Sequence, residues 1–186
     1  MLNKLFEIEK DIMNLVFDRL RQETRTMYID YHDPIVERIW FDYDGLRIYL
    51  HKIHKCNKST DALFHPHPWK SAIRILKGSY EMGVGHSSDN TVPSIDCKLI
   101  LPEGSCYEMT EENGWHYVNP ITDYVYSLMI TGERSSRKMP VEPNKDFREL
   151  TNKEYADVFN ACKEYYDLKK QTWGNKDLMF INGKFQ

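Results

Sequence analysis

His65-Pro66-His67-Pro68-Trp69-Lys70-Ser71-Ala72-Ile73-Arg74-Ile75-Leu76-Lys77-Gly78 is the stretch on which the reading of this chain turns. Side chains on extended backbone alternate between faces with a period of two, so His65 and His67 point the same way. Both imidazoles can then address one metal ion. Further along, Pro102-Glu103-Gly104 leads to a third histidine, His116, set between Trp115 and Tyr117. Two histidines from one strand and one from a distant strand form a facial cap. Neutral imidazoles suit Fe(II), Cu, Ni and Zn, and the opposite positions stay open for substrate and for O₂ or water. Metal-dependent chemistry on a small molecule is the leading expectation.

The flanking sequence reads as short strands. Residues 46–53 alternate Leu46, Ile48 and Leu50 against Arg47, Tyr49 and His51, the pattern of a half-buried strand. Residues 35–41, 64–76, 80–84, 97–101, 106–109, 115–118 and 124–131 read as further strands, punctuated by Asp42-Tyr43-Asp44-Gly45 and Lys77-Gly78-Ser79. Many short strands with regular turns predict a sandwich or barrel. Residues 2–22 read as an amphipathic helix, with Leu5, Ile8, Ile12, Leu15 and Val16 near helical spacing. Thr151-Asn152-Lys153-Glu154 reads as a capping box. The helix it opens carries Tyr155, Val158, Phe159, Cys162, Tyr165 and Tyr166 on one side. Residues 179–185 read as a small hairpin on Asn182-Gly183. The division is one domain over 1–186: an N-terminal helical segment (1–30), a barrel (35–135), and a C-terminal helix and tail (136–186).

With 186 residues the chain suits one domain with a substantial core. A net charge of −3 gives no electrostatic reason to expect nucleic acid as a partner. Charges throughout the first twenty residues argue against a signal-peptide core, and no stretch is long and apolar enough to span a membrane. The four cysteines, Cys56, Cys97, Cys106 and Cys162, show no C-x-x-C spacing, so a thiol-bearing cytoplasmic protein is expected.

These residues resemble the cupin superfamily, a jelly-roll β-barrel whose first motif runs His-x-His, three or four residues, glutamate, six residues, glycine. Here His65 and His67 are followed at that spacing by Ser71 and then Gly78. The second motif, Pro-x-Gly followed by histidine and asparagine, is matched by Pro102, Gly104, His116 and Asn119 across a longer gap. The run from Leu50-His51-Lys52 to Leu128-Met129-Ile130-Thr131-Gly132 looks like a bacterial and viral cupin group with a His-x-His-Pro-Trp signature. The resemblance implies a mainly β fold, a cupin-type jelly roll with an N-terminal and a C-terminal helix, holding a divalent transition metal, Fe(II) first. Ser71 stands where the family's acid ligand is usual. Two alternatives stay open: a three-histidine site similar to that of the thiol dioxygenases, or recruitment of Glu81 as the carboxylate. Parity argues against Glu81, because Tyr80, Met82 and Val84 form the apolar face of that strand.

The expected ligands are therefore His65, His67 and His116, with Glu81 in reserve. Arg74, with its planar fork, and Tyr107, Trp69 and Trp115 are the candidates for contacting a small-molecule substrate. His51 and His54 read as solvated or hydrogen-bonded strand residues, and His32 and His86 as loop residues. A homodimer is compatible with cupin barrel edges and with the apolar N-terminal helix. Three function options remain, the first two being an Fe(II) oxygenase or dioxygenase and a non-catalytic cupin that binds a sugar or other small molecule. A metal-free epimerase or isomerase with a histidine base is the third option.

Overall fold

The alternating segments pair into two antiparallel sheets. The computed structural model of the chain describes residues 1–19, 23–58, 60–66, 69–88, 91–134 and 147–181. Helix α1 (Leu2–Arg19) is followed by strands β1 (Arg25–Ile29), β2 (Val36–Tyr43), β3 (Leu46–His54), β4 (His65–Pro66), β5 (Trp69–Lys77), β6 (Tyr80–His86), β7 (Cys97–Leu101), β8 (Cys106–Met109), β9 (Gly114–Pro120) and β10 (Tyr124–Arg134), and by helix α2 (Asn152–Ile181). One sheet has the order β1-β2-β3-β10-β5-β8 and the other β4-β9-β6-β7. From β3 onward the partners nest: β3 with β10, β4 with β9, β5 with β8, β6 with β7. This is one long hairpin rolled so that successive pairs fall in alternate sheets, which is the jelly-roll winding. β1 and β2 extend the larger sheet. Both helices and the mainly β character agree with the sequence reading.

The six-stranded sheet is covered on both faces. On one side Ile39, Phe41, Ile48, Leu50, Ala72, Leu128 and Ile130 form a core with Leu5, Ile8 and Ile12 of α1 and Val158, Cys162, Tyr165 and Tyr166 of α2. On the other, Val36, Tyr49, Ile53, Ile73, Ile75 and Met129 pack toward Tyr80 and Met82 of the smaller sheet. Three layers result: helices, large sheet, small sheet. The lining of the gap between the sheets is thereby set by the second face of each strand of the large sheet.

The stretch 64–76, read as one extended segment or two, divides into β4 and β5. Two differences from the sequence reading are local. Arg25–Ile29, inside the segment expected to be helical, pairs with β2 as β1. The expected hairpin from Met179 does not start there, because α2 runs through Ile181; residues 182–186 lie outside the described residues. Each added helical residue completes one more backbone hydrogen bond, and α2 contains no proline to interrupt that propagation. Among the described residues no helix is long and apolar enough to cross a membrane.

Candidate functional site: a histidine-lined cavity between the sheets

Parity decides which side chains enter the space between the sheets. β2 contributes Val36, Arg38 and Trp40, β3 contributes Arg47, Tyr49, His51 and Ile53, and β9 contributes His116 and Val118. With His65, Trp69, Ile73, Tyr80, Tyr107, Ser127 and Met129 among the other lining residues, they enclose a cavity of about 440 Å³. That volume is the size of a small-molecule site.

His65 of β4 and His116 of β9 are direct register partners. Their ring centroids are 4.9 Å apart with the planes at 62°. His65 Nδ1 lies 2.9 Å from the Leu63 carbonyl oxygen. A carbonyl only accepts, so Nδ1 carries the proton and Nε2 keeps its lone pair. Burial pushes the His65 pKa down to about 4, so the ring is neutral at neutral pH. His116 is buried at 5% exposure. Metal–imidazole bonds of about 2 Å at roughly right angles put two ring centres on the order of 4–5 Å apart, so this pair fits two ligands of one ion. Among the described residues no cluster of three or more histidines, cysteines and carboxylates converges. The third expected ligand, His67, lies outside the described residues.

The other expected site residues divide. Trp69 and Tyr107 line the cavity. Tyr107 shares a 2.6 Å hydroxyl–hydroxyl hydrogen bond with Tyr80, and burial raises the pKa of both phenols, which holds them protonated. Trp115 does not line the cavity. As the neighbour of His116 on one strand it faces the other way, where it is fully buried against Phe64. Glu81 sits on the far side of β6, accepting from the Tyr117 hydroxyl at 2.7 Å and from Lys98 at 3.2 Å. These two donors hold its carboxyl below the usual range. Arg74 also faces away from the cavity. It grips Glu9 of α1 through two 2.8 Å hydrogen bonds and donates to the Gly104 carbonyl at 2.9 Å. Ser71 is fully buried, paired with Met109 and Thr131.

Two polar residues of the wall were not among the candidate site residues: Arg38 was not singled out, and His51 was read as a solvated or hydrogen-bonded strand residue, the second of which it is. Arg38 donates from Nε to His51 Nε2 at 2.9 Å. His51 therefore carries its proton on Nδ1, 3.5 Å from the Ser127 hydroxyl. The Arg38 guanidinium also lies over the Tyr49 ring at 4.9 Å. The signal was present: Arg38 shares a strand face with Val36 and Trp40, as His51 does with Tyr49 and Ile53. It was missed because a polar alternate face normally means solvent.

By sequence the chain matches no known family profile and no curated protein. By structure it is similar to the Fe(II) form of HppE, with 16% identity over 59% of this chain and 56% of that one and a TM-score of 0.46. It is likewise similar to hydroxypropylphosphonic acid epoxidase from S. wedmorenis, with 18% identity, 59% and 55% coverage and a TM-score of 0.45. Similarity extends to the EutQ protein of Clostridium difficile, with 10% identity, 59% and 78% coverage and a TM-score of 0.42. The chain spans a little over half the length of the HppE and epoxidase chains. Its own strand order defines the fold: a jelly roll enclosing a histidine-lined cavity.

Proposed function

We propose that this chain is a metal-binding cupin that oxygenates a small molecule, with Fe(II) held by His65 and His116 and completed by His67. The observation that carries the reading is the His65–His116 pair, a half-buried and a buried ring from paired strands meeting at a cavity wall. When bound, Fe(II) supplies open coordination positions where substrate and O₂ meet. The chain's own residues do the rest. The Leu63 carbonyl fixes the His65 tautomer and aims Nε2. The apolar walls exclude water, and the protonated Tyr80–Tyr107 pair offers a hydroxyl donor within the cavity.

Metal analysis tests this. Protein purified without chelators and loaded with Fe(II) under argon is expected to retain about one ion per chain, and His65→Ala and His116→Ala to lose it. Retention below about a tenth of an equivalent in the wild type overturns the proposal. A second reading, a non-catalytic cupin that binds a sugar or other small molecule, draws on Ser71 in place of the acid ligand. It predicts a ligand affinity that His65→Ala leaves unchanged.

A further inference from the structure

We propose that the cavity takes a small organic acid, with the ligand carboxylate bound end-on by the two terminal nitrogens of Arg38. The inference rests on the cavity assigned above and names the class of molecule that fills it. Three observations lead there.

The first is an uncompensated cation. Arg38 stands in the cavity wall, and no carboxylate among the described residues forms an ion pair with it; its hydrogen bond goes from Nε to a neutral acceptor, His51 Nε2. Among the lining residues none is an aspartate or glutamate. A guanidinium in a mostly apolar enclosure without a counter-ion is expensive, and such a charge is retained where a ligand completes it. Burial, and to a smaller extent the Arg47 charge, lower the Arg38 pKa, yet arginine remains protonated, so the charge persists.

The second is the geometry of what is left over. With Nε committed to His51 and the guanidinium plane held over Tyr49, the fork is oriented before any ligand arrives. The two terminal nitrogens present parallel N–H groups, which match the two oxygens of a carboxylate.

The third is the count of charges. Arg47, the other cation of the cavity, is already engaged by Asp42 at 3.1 Å and by the Tyr49 hydroxyl at 3.4 Å. In the metal-free cavity one free positive charge matches a monoanionic carboxylate better than a dianionic phosphoryl group. Arg38, His65 and His116 line the same cavity, so a carboxylate on Arg38 shares that cavity with the imidazole pair. The apolar walls, including Val36, Ile53 and Met129, receive the rest of the molecule.

The test uses metal-free full-length protein, which separates this inference from the metal reading. Acetate, butyrate and benzoate are titrated against the matching amides and against phenylphosphonate, following the fluorescence of Trp40 and Trp69, both in the cavity wall. At least one carboxylate is expected to bind saturably and at least tenfold tighter than its amide. Arg38→Gln is expected to erase that preference, and Arg38→Lys, which keeps the charge and loses the fork, to retain only a fraction of it. Arg38→Met supplies a readout that a structural role would not give: without ligand its melting temperature should equal or exceed that of the wild type. Any of three results overturns the inference: no carboxylate preference in the folded wild type, the same preference in Arg38→Gln, or phenylphosphonate binding tighter than benzoate. Failure of iron loading with the carboxylate preference intact would remove the metal reading alone.

Discussion

At the scale of single residues, partners decide roles. Arg74 has the fork expected of a substrate-binding residue, but Glu9 on α1 takes Nε and one terminal nitrogen, the Gly104 carbonyl takes the other, and the Tyr166 hydroxyl donates to the same carboxylate at 2.9 Å. Glu9 is 8% exposed, so its removal strands a partly buried guanidinium. Glu9→Gln is expected to cost about 1–3 kcal/mol in urea denaturation, while the double change Glu9→Met with Arg74→Met recovers most of the loss. An unchanged midpoint in Glu9→Gln would contradict this role. Legibility at this scale followed parity. The period of two argued against Glu81 as a ligand, and applied to Trp115 beside His116 it would have excluded that residue from the cavity too. Arg38 and His51 were hidden for a different reason: a strand buried on both faces shows the same apolar–polar alternation as one half in water when its inner face lines a polar-capped cavity.

Single elements carry their own tests. The opening of α2 is a reciprocal cap: the Glu154 carboxylate accepts from the Thr151 amide at 2.8 Å, and the Thr151 hydroxyl accepts from the Glu154 amide at 3.3 Å. Arg148 adds two hydrogen bonds to the same carboxylate, at 2.8 and 2.7 Å. Thr151→Ala should destabilise the protein by about 1 kcal/mol, read from the thermal midpoint. The pH dependence has a definite sign. Arg148 and the Thr151 donors hold the folded Glu154 pKa down to about 2, against an ordinary value of 4.5. The cap's contribution is complete above the ordinary value and fades as pH falls toward the folded value. Wild type and Glu154→Gln should therefore differ most at neutral pH and converge in acid; a gap that widens in acid would refute the assignment. This element was legible because the Thr-x-x-Glu pattern is local. On β6, Gly83 lies under the Tyr117 ring, which occupies the position a Cβ would need. Gly83→Ala should displace that ring, weaken its bond to Glu81 and cost about 1–3 kcal/mol.

Across the whole molecule, the large sheet works because it has two lids. One face needs α1 and α2, and the other needs the small sheet. Ile12 is fully buried against this helix-side core, so Ile12→Ala should cost about 2–5 kcal/mol, and removal of residues 1–19 should expose the sheet's apolar face and produce aggregation visible by light scattering. A monodisperse, fully folded truncated chain would show that α1 is dispensable. A sandwich or barrel was readable from strand number and turn spacing, and the jelly-roll winding was implied by the resemblance around the His-x-His stretch. The long-range pairing of β4 with β9, which brings His65 to His116, carries no local sequence signal and had to be supplied by the resemblance. The stop of α2 was misread for the converse reason: an Asn-Gly turn signal says nothing of how far a capped helix propagates toward it.

The central claim is that His65 and His116 share one metal ion, and anomalous diffraction tests it most directly. Crystals of the protein soaked in Co(II) and measured on either side of the cobalt edge should show a single strong anomalous peak about 2 Å from the Nε2 atoms of both His65 and His116. No peak between the two rings, with cobalt found only at surface histidines such as His86, would contradict the account.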